Sequence, residues 1–289
     1  MCGLFGAVGT YDTATLRAIG ASMIARGNHS WGVAWESRRG VVRRERVVGP
    51  LPDGAIPAAR QAWLIGHTRY ATTGEVSVAN AHPFADKIAL LAHNGAIYDH
   101  DLADGACDSA TLHARLSRYL LDSGEPLRVS AYGVALWADL RRAGEGTIRV
   151  LPLSCRHDLA VAVQPRTGAT YVASTIGAGL ARTHGLAIVP LADGIAPYTV
   201  APFGTIRPDP RVEITLAPRQ VVAKSDPYAR AARGPLGPVP NPYAWPDPRV
   251  PADREAPPSR DDDPRVPGWL AQEIAMERAR GAGRRKGRQ

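Results

Sequence analysis

Short apolar runs separated by turn residues fill the chain up to about residue 220. Alternating or continuous apolar segments bounded by Gly, Pro or Asp are typical of β-strands. Strands are predicted over residues 3–8, 31–36, 41–48, 62–67, 88–93, 159–164, 169–173, 186–190, 198–201 and 212–216. Longer segments predict helices over 13–25, 109–122 and 129–142. Many strands with few helices predict two packed sheets flanked by helices.

The pattern changes near residue 225, beyond which prolines recur every few residues up to Pro267. Proline at that density excludes a regular helix or a central strand. Residues 225–267 are therefore predicted to form an extended linker or surface strap, with Tyr243 and Trp245 as anchors. A short helix is predicted over 269–280. The predicted organisation is a body over 2–224 and a proline- and arginine-rich extension over 225–289.

Composition narrows the class of protein. Of 289 residues, 45% are hydrophobic, which is enough for a sizeable core. The cysteines Cys2, Cys107 and Cys155 show no CxxC spacing, which argues against a zinc ribbon or a disulfide scaffold and for a reducing compartment. Neither a signal-peptide pattern nor an apolar run of about 18 residues is found. These features predict a cytoplasmic protein without a membrane partner.

Charge and the remaining motifs add little. The net charge is +8 and the pI about 9.7, with the densest basic cluster at residues 284–288. A basic tail only slightly favours a nucleic-acid partner over a solubilising role. The chain has no GxGxxG after a first strand and no P-loop, so a nucleotide-binding fold is not indicated. Its histidines are too scattered for a metal motif, so neither a metal nor a cofactor is predicted.

Cys2 is the first candidate for chemistry. It stands behind Met1, and removal of Met1 would leave one residue with both a thiol and a free α-amine. An α-amine titrates near ~8, so it can accept a proton at neutral pH and act as the base for its own thiol. On position alone, an accidental cysteine at a frayed terminus is an equal alternative.

Further segments follow Cys2 in the chain. They are 26–32 (RGNHSWG), 66–74 (GHTRYATTG), 80–84 (NAHPF), 93–97 (HNGAI) and 107–109 (CDS). Taken singly, an Asn-Gly pair is usually a turn, an Asp before a helix an N-cap, and an Arg after a strand part of a solvated face.

In this order behind Met1-Cys2-Gly3, the segments resemble the class II glutamine amidotransferase domain, an N-terminal nucleophile hydrolase. The HTRYATTG, NAHPF and HNG segments are most similar to the glucosamine-6-phosphate synthase type, and the resemblance covers roughly residues 2–220. It implies an α+β fold, the four-layer αββα sandwich. It also implies an enzyme that hydrolyses L-glutamine to glutamate and ammonia.

The resemblance implies a role for each motif residue. Cys2 would attack the side-chain amide of glutamine to give a γ-glutamyl thioester. Asn94 and Gly95 would form the oxyanion hole. For the substrate, the resemblance implies contacts from Arg69 and Thr72 to the α-carboxylate and from Asp108 to the α-ammonium group. Arg26 lies in a segment that would support the nucleophile from the facing strand, and His82 has a structural role or a substrate contact as equal alternatives.

The chain departs from the family pattern at several positions. The family's tryptophan after the clamp arginine is Tyr70, its frequent histidine before the glycine is Thr73, and only Asp108 is kept from a Ser-Asp-Thr-Glu segment. These changes leave the hydrolytic residues in place. They bear on glutamine affinity and on coupling to an acceptor.

Two alternatives stay open. One is an N-terminal-cysteine amidase or peptidase acting on another amide, and the other is a non-catalytic binding or regulatory module. Arg69 together with Asp108 favours a free amino acid, because its two charged groups need an opposite charge each. The family uses its ammonia in a second catalytic half, and the extension is not typical of one, so a separate acceptor subunit is expected.

Overall fold

The computed structural model describes residues 2–216 except 38, 59–60, 99–105, 123–125, 143, 155–156, 192–193 and 195. The predicted strap, its anchors Tyr243 and Trp245, and the predicted helix over 269–280 lie outside the described residues. No helix in the described part of the chain is both long enough and apolar enough to cross a membrane.

Strands dominate the described residues, and three α-helices accompany them. The strands are β1 (Gly3–Val8), β2 (Ser30–Ser37), β3 (Val42–Val48), β4 (Gln61–Arg69), β5 (Phe84–Ala85), β6 (Ala89–Ile97), β7 (Leu127–Val129), β8 (Ala131–Asp139), β9 (Ile148–Pro152), β10 (Ala160–Gln164), β11 (Ala169–Ala173), β12 (Ala187–Val189), β13 (Tyr198–Ala201), β14 (Thr205–Pro208) and β15 (Ile214–Leu216). The helices are α1 (Thr13–Ile24), α2 (Asp108–Leu121) and α3 (Ala178–Thr183), with a 3-10 turn at Leu140–Arg142.

The strands form two large sheets and one small one. The first sheet has seven strands in the order β12-β10-β11-β1-β4-β2-β3, and the second has six in the order β14-β13-β9-β8-β6-β5. All of their pairings are antiparallel, whereas β7 and β15 form a separate parallel pair.

Three buried layers show how the sheets stack. Leu16 and Ile19 of α1 pack with Phe5 on the outer face of the first sheet. Leu4 and other residues on the opposite face of the first sheet pack against the second sheet. The third layer joins α2 to the outer face of the second sheet, with Leu112 among its buried residues. The order helix–sheet–sheet–helix confirms the predicted four-layer αββα sandwich.

The helix predicted over 129–142 is wrong. This segment forms the end of β7, all of β8 and a 3-10 turn. β8 lies between β6 and β9 and is covered on both faces, so Val134 and Leu136 enter the inter-sheet layer while Ala135 and Trp137 face α2. A strand buried on both faces has no alternating pattern, and its continuous apolar run cannot be told from a buried helix.

The sandwich brings the motif segments together at one end. Cys2 immediately precedes β1, which lies between β4 and β11 in the first sheet. Gly3 pairs with Thr68, so Arg69 at the end of β4 lies beside the start of the chain. Asn94 lies on β6 of the facing sheet. The nucleophile and the predicted oxyanion residues therefore come from different sheets.

Candidate active site

A cavity of about 380 Å³ opens beside Cys2 at this end of the sandwich. Its walls come from both sheets and from the loops that follow β4 and β9. The lining residues are Cys2, Arg26, Tyr70, Thr72, Asn94, Gly95, Tyr132, Gly133, Val134, Ser154, His157 and Asp158. Six of these residues, Cys2, Arg26, Tyr70, Thr72, Asn94 and Gly95, were predicted from the sequence.

The Cys2 thiol is held by the backbone of Tyr70. The Tyr70 N–H donates to Cys2 Sγ at 3.2 Å, and the thiol donates to the Tyr70 carbonyl oxygen at 3.4 Å. Burial raises the pKa of this thiol above its ordinary value, although the Tyr70 hydrogen bond and the Arg69 charge act in the opposite direction. The thiol therefore needs a base before it can react near neutral pH.

The backbone carbonyl of Cys2 has two donors. Arg26 Nε donates to it at 2.9 Å, and Asn94 Nδ2 donates to it at 2.9 Å from the other sheet. Arg26 also lies 3.7 Å from Asp158, whose side chain is largely exposed. Two donors on one carbonyl fix the backbone of Cys2, so the position of the thiol follows from residues far away in sequence.

Asn94 and Gly95 lie in β6 opposite a second glycine. Gly95 pairs with Gly133 of β8, and both have positive φ, 144° and 113°. A Cβ on Gly95 would lie 1.9 Å from the Tyr132 carbonyl oxygen, and one on Gly133 would lie 1.9 Å from that of Asn94. Neither position accommodates a side chain, so the glycines permit a close approach of the two strands beside the cavity.

Arg69 is 2% exposed and lies behind the cavity lining. Its Nη1 donates to the carbonyl oxygen of Glu75 at 2.9 Å, and its Nη2 donates to that of Thr73 at 2.5 Å. No carboxylate of the described residues lies within 4.0 Å of its guanidinium group. A buried cation without an anionic partner is costly, and a bound carboxylate would compensate it.

Asp108 is also buried, at the first residue of α2. Its Oδ2 accepts a hydrogen bond from the Ile97 N–H at 2.9 Å, and its Oδ1 accepts one from the Ser109 N–H at 2.9 Å. The N-cap of α2 is Cys107, without a side-chain cap bond. Asp108 thus ties the start of α2 to the strand that carries Asn94 and Gly95.

The other predicted residues lie in different settings. Thr72 is exposed and lines the cavity. Tyr70 is 37% exposed, and its ring stacks on His29, with 4.8 Å between ring centroids. His82 is 2% exposed and packs against His67, at 4.1 Å between centroids, so it faces the interior and not the cavity.

The sequence did not single out several residues that complete the site. Ser174 directly follows β11, and its Oγ accepts hydrogen bonds from Asn94 Nδ2 and the Leu4 N–H, both at 2.9 Å. His67 Nε2 lies 3.1 Å from Asn94 Oδ1. Tyr132 and Gly133 join the lining from β8. Gly133 carried a local signal, because a glycine inside a strand often marks a close backbone contact. His67 stands in the GHTRYATTG segment, although no role was assigned to it there.

Comparisons of sequence find similar proteins among curated enzymes, although no family model matches the chain. A glutamine–fructose-6-phosphate aminotransferase (isomerizing) of Xylella fastidiosa is 36% identical over 107 residues, and that of Yersinia pseudotuberculosis is 38% identical over 106. Each match covers 35% of this chain and 17% of the relative. The chain therefore matches only a small part of these longer proteins.

Comparisons of structure extend the likeness over most of the chain. Glutamine phosphoribosylpyrophosphate amidotransferase from B. subtilis superposes with a TM-score of 0.51 at 16% identity, over 72% of this chain and 49% of that one. A second structure, described as the allosteric regulatory enzyme of purine biosynthesis, gives 0.52 at 15% identity, over 74% and 50%. At such identities these likenesses establish the fold.

Proposed function

We propose that this chain, which carries a class II glutamine amidotransferase domain, hydrolyses the side-chain amide of L-glutamine. The observation that supports the proposal most directly is the arrangement around Cys2. Its thiol lines a cavity, and its carbonyl accepts hydrogen bonds from Asn94 and Arg26, both at 2.9 Å. Sequence relatives named as glutamine-dependent aminotransferases support the same substrate.

The first step would be attack by Cys2 Sγ on the amide carbon of glutamine. Removal of Met1 would place a free α-amine on the same residue, and that amine would take the thiol proton. This supplies the base that a thiol with a raised pKa requires. The amine would then return the proton to the leaving nitrogen. Ammonia departs as the carbon–nitrogen bond breaks, and water hydrolyses the γ-glutamyl thioester to glutamate.

The tetrahedral oxygen would be stabilised from β6. The side-chain amide of Asn94 and the backbone N–H of Gly95 are the proposed donors, and such a donor is worth roughly 3 kcal/mol. In the resting site both Nδ2 hydrogens of Asn94 already have acceptors, the Cys2 carbonyl and Ser174 Oγ. One of them would turn to the substrate oxygen as its charge develops.

The α-carboxylate and the α-ammonium group of glutamine would bind to two buried side chains that lie behind the residues lining the cavity. Arg69 supplies a buried guanidinium group without a carboxylate within 4.0 Å among the described residues, and its planar fork fits a carboxylate. Asp108 supplies a buried carboxylate for the α-ammonium group. Thr72 would add a hydroxyl at the cavity edge, and the backbone of Tyr70 holds the thiol. Because His82 faces His67, we assign it a packing role.

The ammonia would pass to an acceptor, as the amidotransferase relatives imply. We propose that another domain or a separate protein supplies it. Purification of the chain from native lysate with a C-terminal tag tests for a separate protein. Co-purification of an ammonia-consuming enzyme supports that version, whereas isolation of the chain alone, with full unregulated glutamine hydrolysis, contradicts it.

Intact-protein mass spectrometry with 6-diazo-5-oxo-L-norleucine tests the glutaminase proposal. This glutamine mimic alkylates such thiols. We expect loss of Met1 and one adduct that maps to Cys2, with no adduct on Cys107, which is buried. Steady-state release of glutamate from L-glutamine, but not from D-glutamine, should accompany it. A processed chain that hydrolyses another amide would favour the amidase alternative, and one with no reactive thiol would favour the binding module.

A further inference from the structure

The side-chain amide of Asn94 is held from three directions by the facing sheet. His67 Nε2 lies 3.1 Å from its Oδ1, while its Nδ2 donates to the Cys2 carbonyl and to Ser174 Oγ, each at 2.9 Å. These partners come from β4, from the residue before β1 and from the residue after β11. One amide on the second sheet is therefore held by residues in, or directly beside, three neighbouring strands of the first sheet.

The contact with the Cys2 carbonyl shows which end of the Asn94 amide faces the nucleophile. A carbonyl oxygen can only accept a hydrogen bond, so Nδ2 must point to it and Oδ1 must point to His67. His67 then has to be the donor. Complete burial lowers the pKa of His67 to about 3, so its ring is neutral and carries a single hydrogen. The contact with Asn94 places that hydrogen on Nε2.

The His67 ring is fixed by packing as well as by its hydrogen bond. It lies 4.1 Å from the ring of His82, between centroids, and His82 in turn meets the ring of Phe84 edge-on at 4.7 Å. Neither ring nitrogen of His82 has a hydrogen-bond partner among the described residues. The histidine and the phenylalanine of the NAHPF segment thus serve as a backing for His67.

We propose that His67 is a positioning residue for the reaction, and that its Nε2–H keeps the Asn94 amide with Nδ2 toward Cys2. The inference rests on the proposed function, because it assigns His67 an effect on the oxyanion step. Without this donor, rotation of the amide by 180° would bring Oδ1 near the Cys2 carbonyl and the developing oxyanion. A site in which that orientation is populated loses the donor when it is needed.

Two amide variants of His67 test the position of the donor. In His67→Gln the side-chain nitrogen can reach the place of Nε2, whereas in His67→Asn it reaches only about as far as Nδ1. We expect His67→Asn to lower kcat for glutamine hydrolysis roughly tenfold or more, within the roughly 10²–10³ that loss of an oxyanion donor costs. KM should stay unchanged, and His67→Gln should retain most of the wild-type kcat.

Alkylation of Cys2 by iodoacetamide is the control, because that reaction forms no oxyanion. Its rate should be the same in wild type and both variants. A wild-type kcat in His67→Asn overturns the inference. An equal loss of kcat in both variants, together with a changed alkylation rate, also overturns it, because that result would indicate that His67 has only a structural role. If the wild type itself hydrolyses no glutamine, the proposed function fails and takes this inference with it.

The tautomer can be measured without any substitution. In protein labelled with ¹⁵N-histidine, the ¹⁵N shifts of a neutral ring distinguish the protonated nitrogen from the bare one. We expect His67 to show a protonated Nε2 and a bare Nδ1 across the neutral pH range. A ring protonated at Nδ1 overturns the inference even if the variants do not fold.

Discussion

Gly133→Ala is the most direct test of the geometry beside the proposed oxyanion residues. Gly133 lies opposite Gly95 in the β6–β8 pair and has φ of 113°, which L side chains rarely adopt. An added Cβ would lie 1.9 Å from the Asn94 carbonyl oxygen, whereas real Cβ atoms essentially never approach closer than 3.0 Å. The neighbouring atom is backbone, so no flexible side chain can move aside.

Two costs add at this position. A residue with a side chain in a sparsely populated backbone region costs about 1–3 kcal/mol, and overpacking of a closely packed site costs a further 1–3 kcal/mol or so. We therefore expect the free energy of unfolding to fall by roughly 2–6 kcal/mol, a large fraction of the 5–15 kcal/mol or so that is typical of a domain. In the molecules that stay folded, β6 must move away at Asn94, so glutamine hydrolysis should fall further than the folded fraction does.

Urea unfolding followed by circular dichroism, with glutamate release measured on the same samples, gives both numbers. Gly54→Ala is the matched control, because a Cβ there meets nothing within 4 Å and its φ lies outside the left-handed region. The control should change the free energy of unfolding by less than about 1 kcal/mol. Wild-type stability and wild-type hydrolysis in Gly133→Ala would refute the close approach of β8 to Asn94.

Three further predictions concern the thiol and the buried cation. Cys2→Ala should abolish hydrolysis and change the free energy of unfolding by less than about 1 kcal/mol, as judged by urea titration, and a larger loss would make Cys2 a core residue. Arg69→Lys should raise KM for glutamine roughly 10- to 100-fold, because a single ammonium nitrogen replaces the two-nitrogen fork of the guanidinium group. Arg17→Lys is the control. An unchanged KM in Arg69→Lys would mean that the carboxylate of glutamine binds elsewhere. Burial raises the pKa of the Cys2 thiol above its ordinary 9.0. In a chain that retains Met1, the rate of Cys2 alkylation by iodoacetamide should therefore still rise as the pH increases above that value, whereas the processed chain should react at lower pH. A rate that is already constant near neutral pH in both forms would contradict this prediction.

The sequence predicted the framework of the fold well where turn residues bound a short apolar run, or where an amphipathic segment is long enough for a helix. The strand over 3–8 and the strand over 169–173 have the same bounds in the structure, and the helix predicted over 13–25 forms over Thr13–Ile24. The segment 129–142 failed because its apolar stretch is as long as a helix, and β8, covered on both faces, offers no alternation that would identify a strand. Short edge strands such as Phe84–Ala85 carry too few residues for a pattern.

The roles of the site residues could be predicted from the sequence only where the residues stand in a recognisable motif. Cys2, Asn94 and Gly95 stand in recognisable segments, and the structure places all three on one cavity. Ser174 and His67 contact Asn94 because β11, β1 and β4 are neighbours in one sheet that faces β6. That juxtaposition depends on strand order and register, which no local window of the sequence contains.

Asn94 makes hydrogen-bond contacts to Cys2, His67 and Ser174 across the inter-sheet layer. The geometry of the active site therefore depends on the position of one sheet relative to the other. A change in that layer that lets the sheets slide by an ångström would separate these partners while leaving each sheet intact. Activity should then be lost before secondary structure. For the construction of chimeras with related enzymes, the unit of exchange is the pair of sheets with the side chains between them, since either sheet alone carries only half of the geometry.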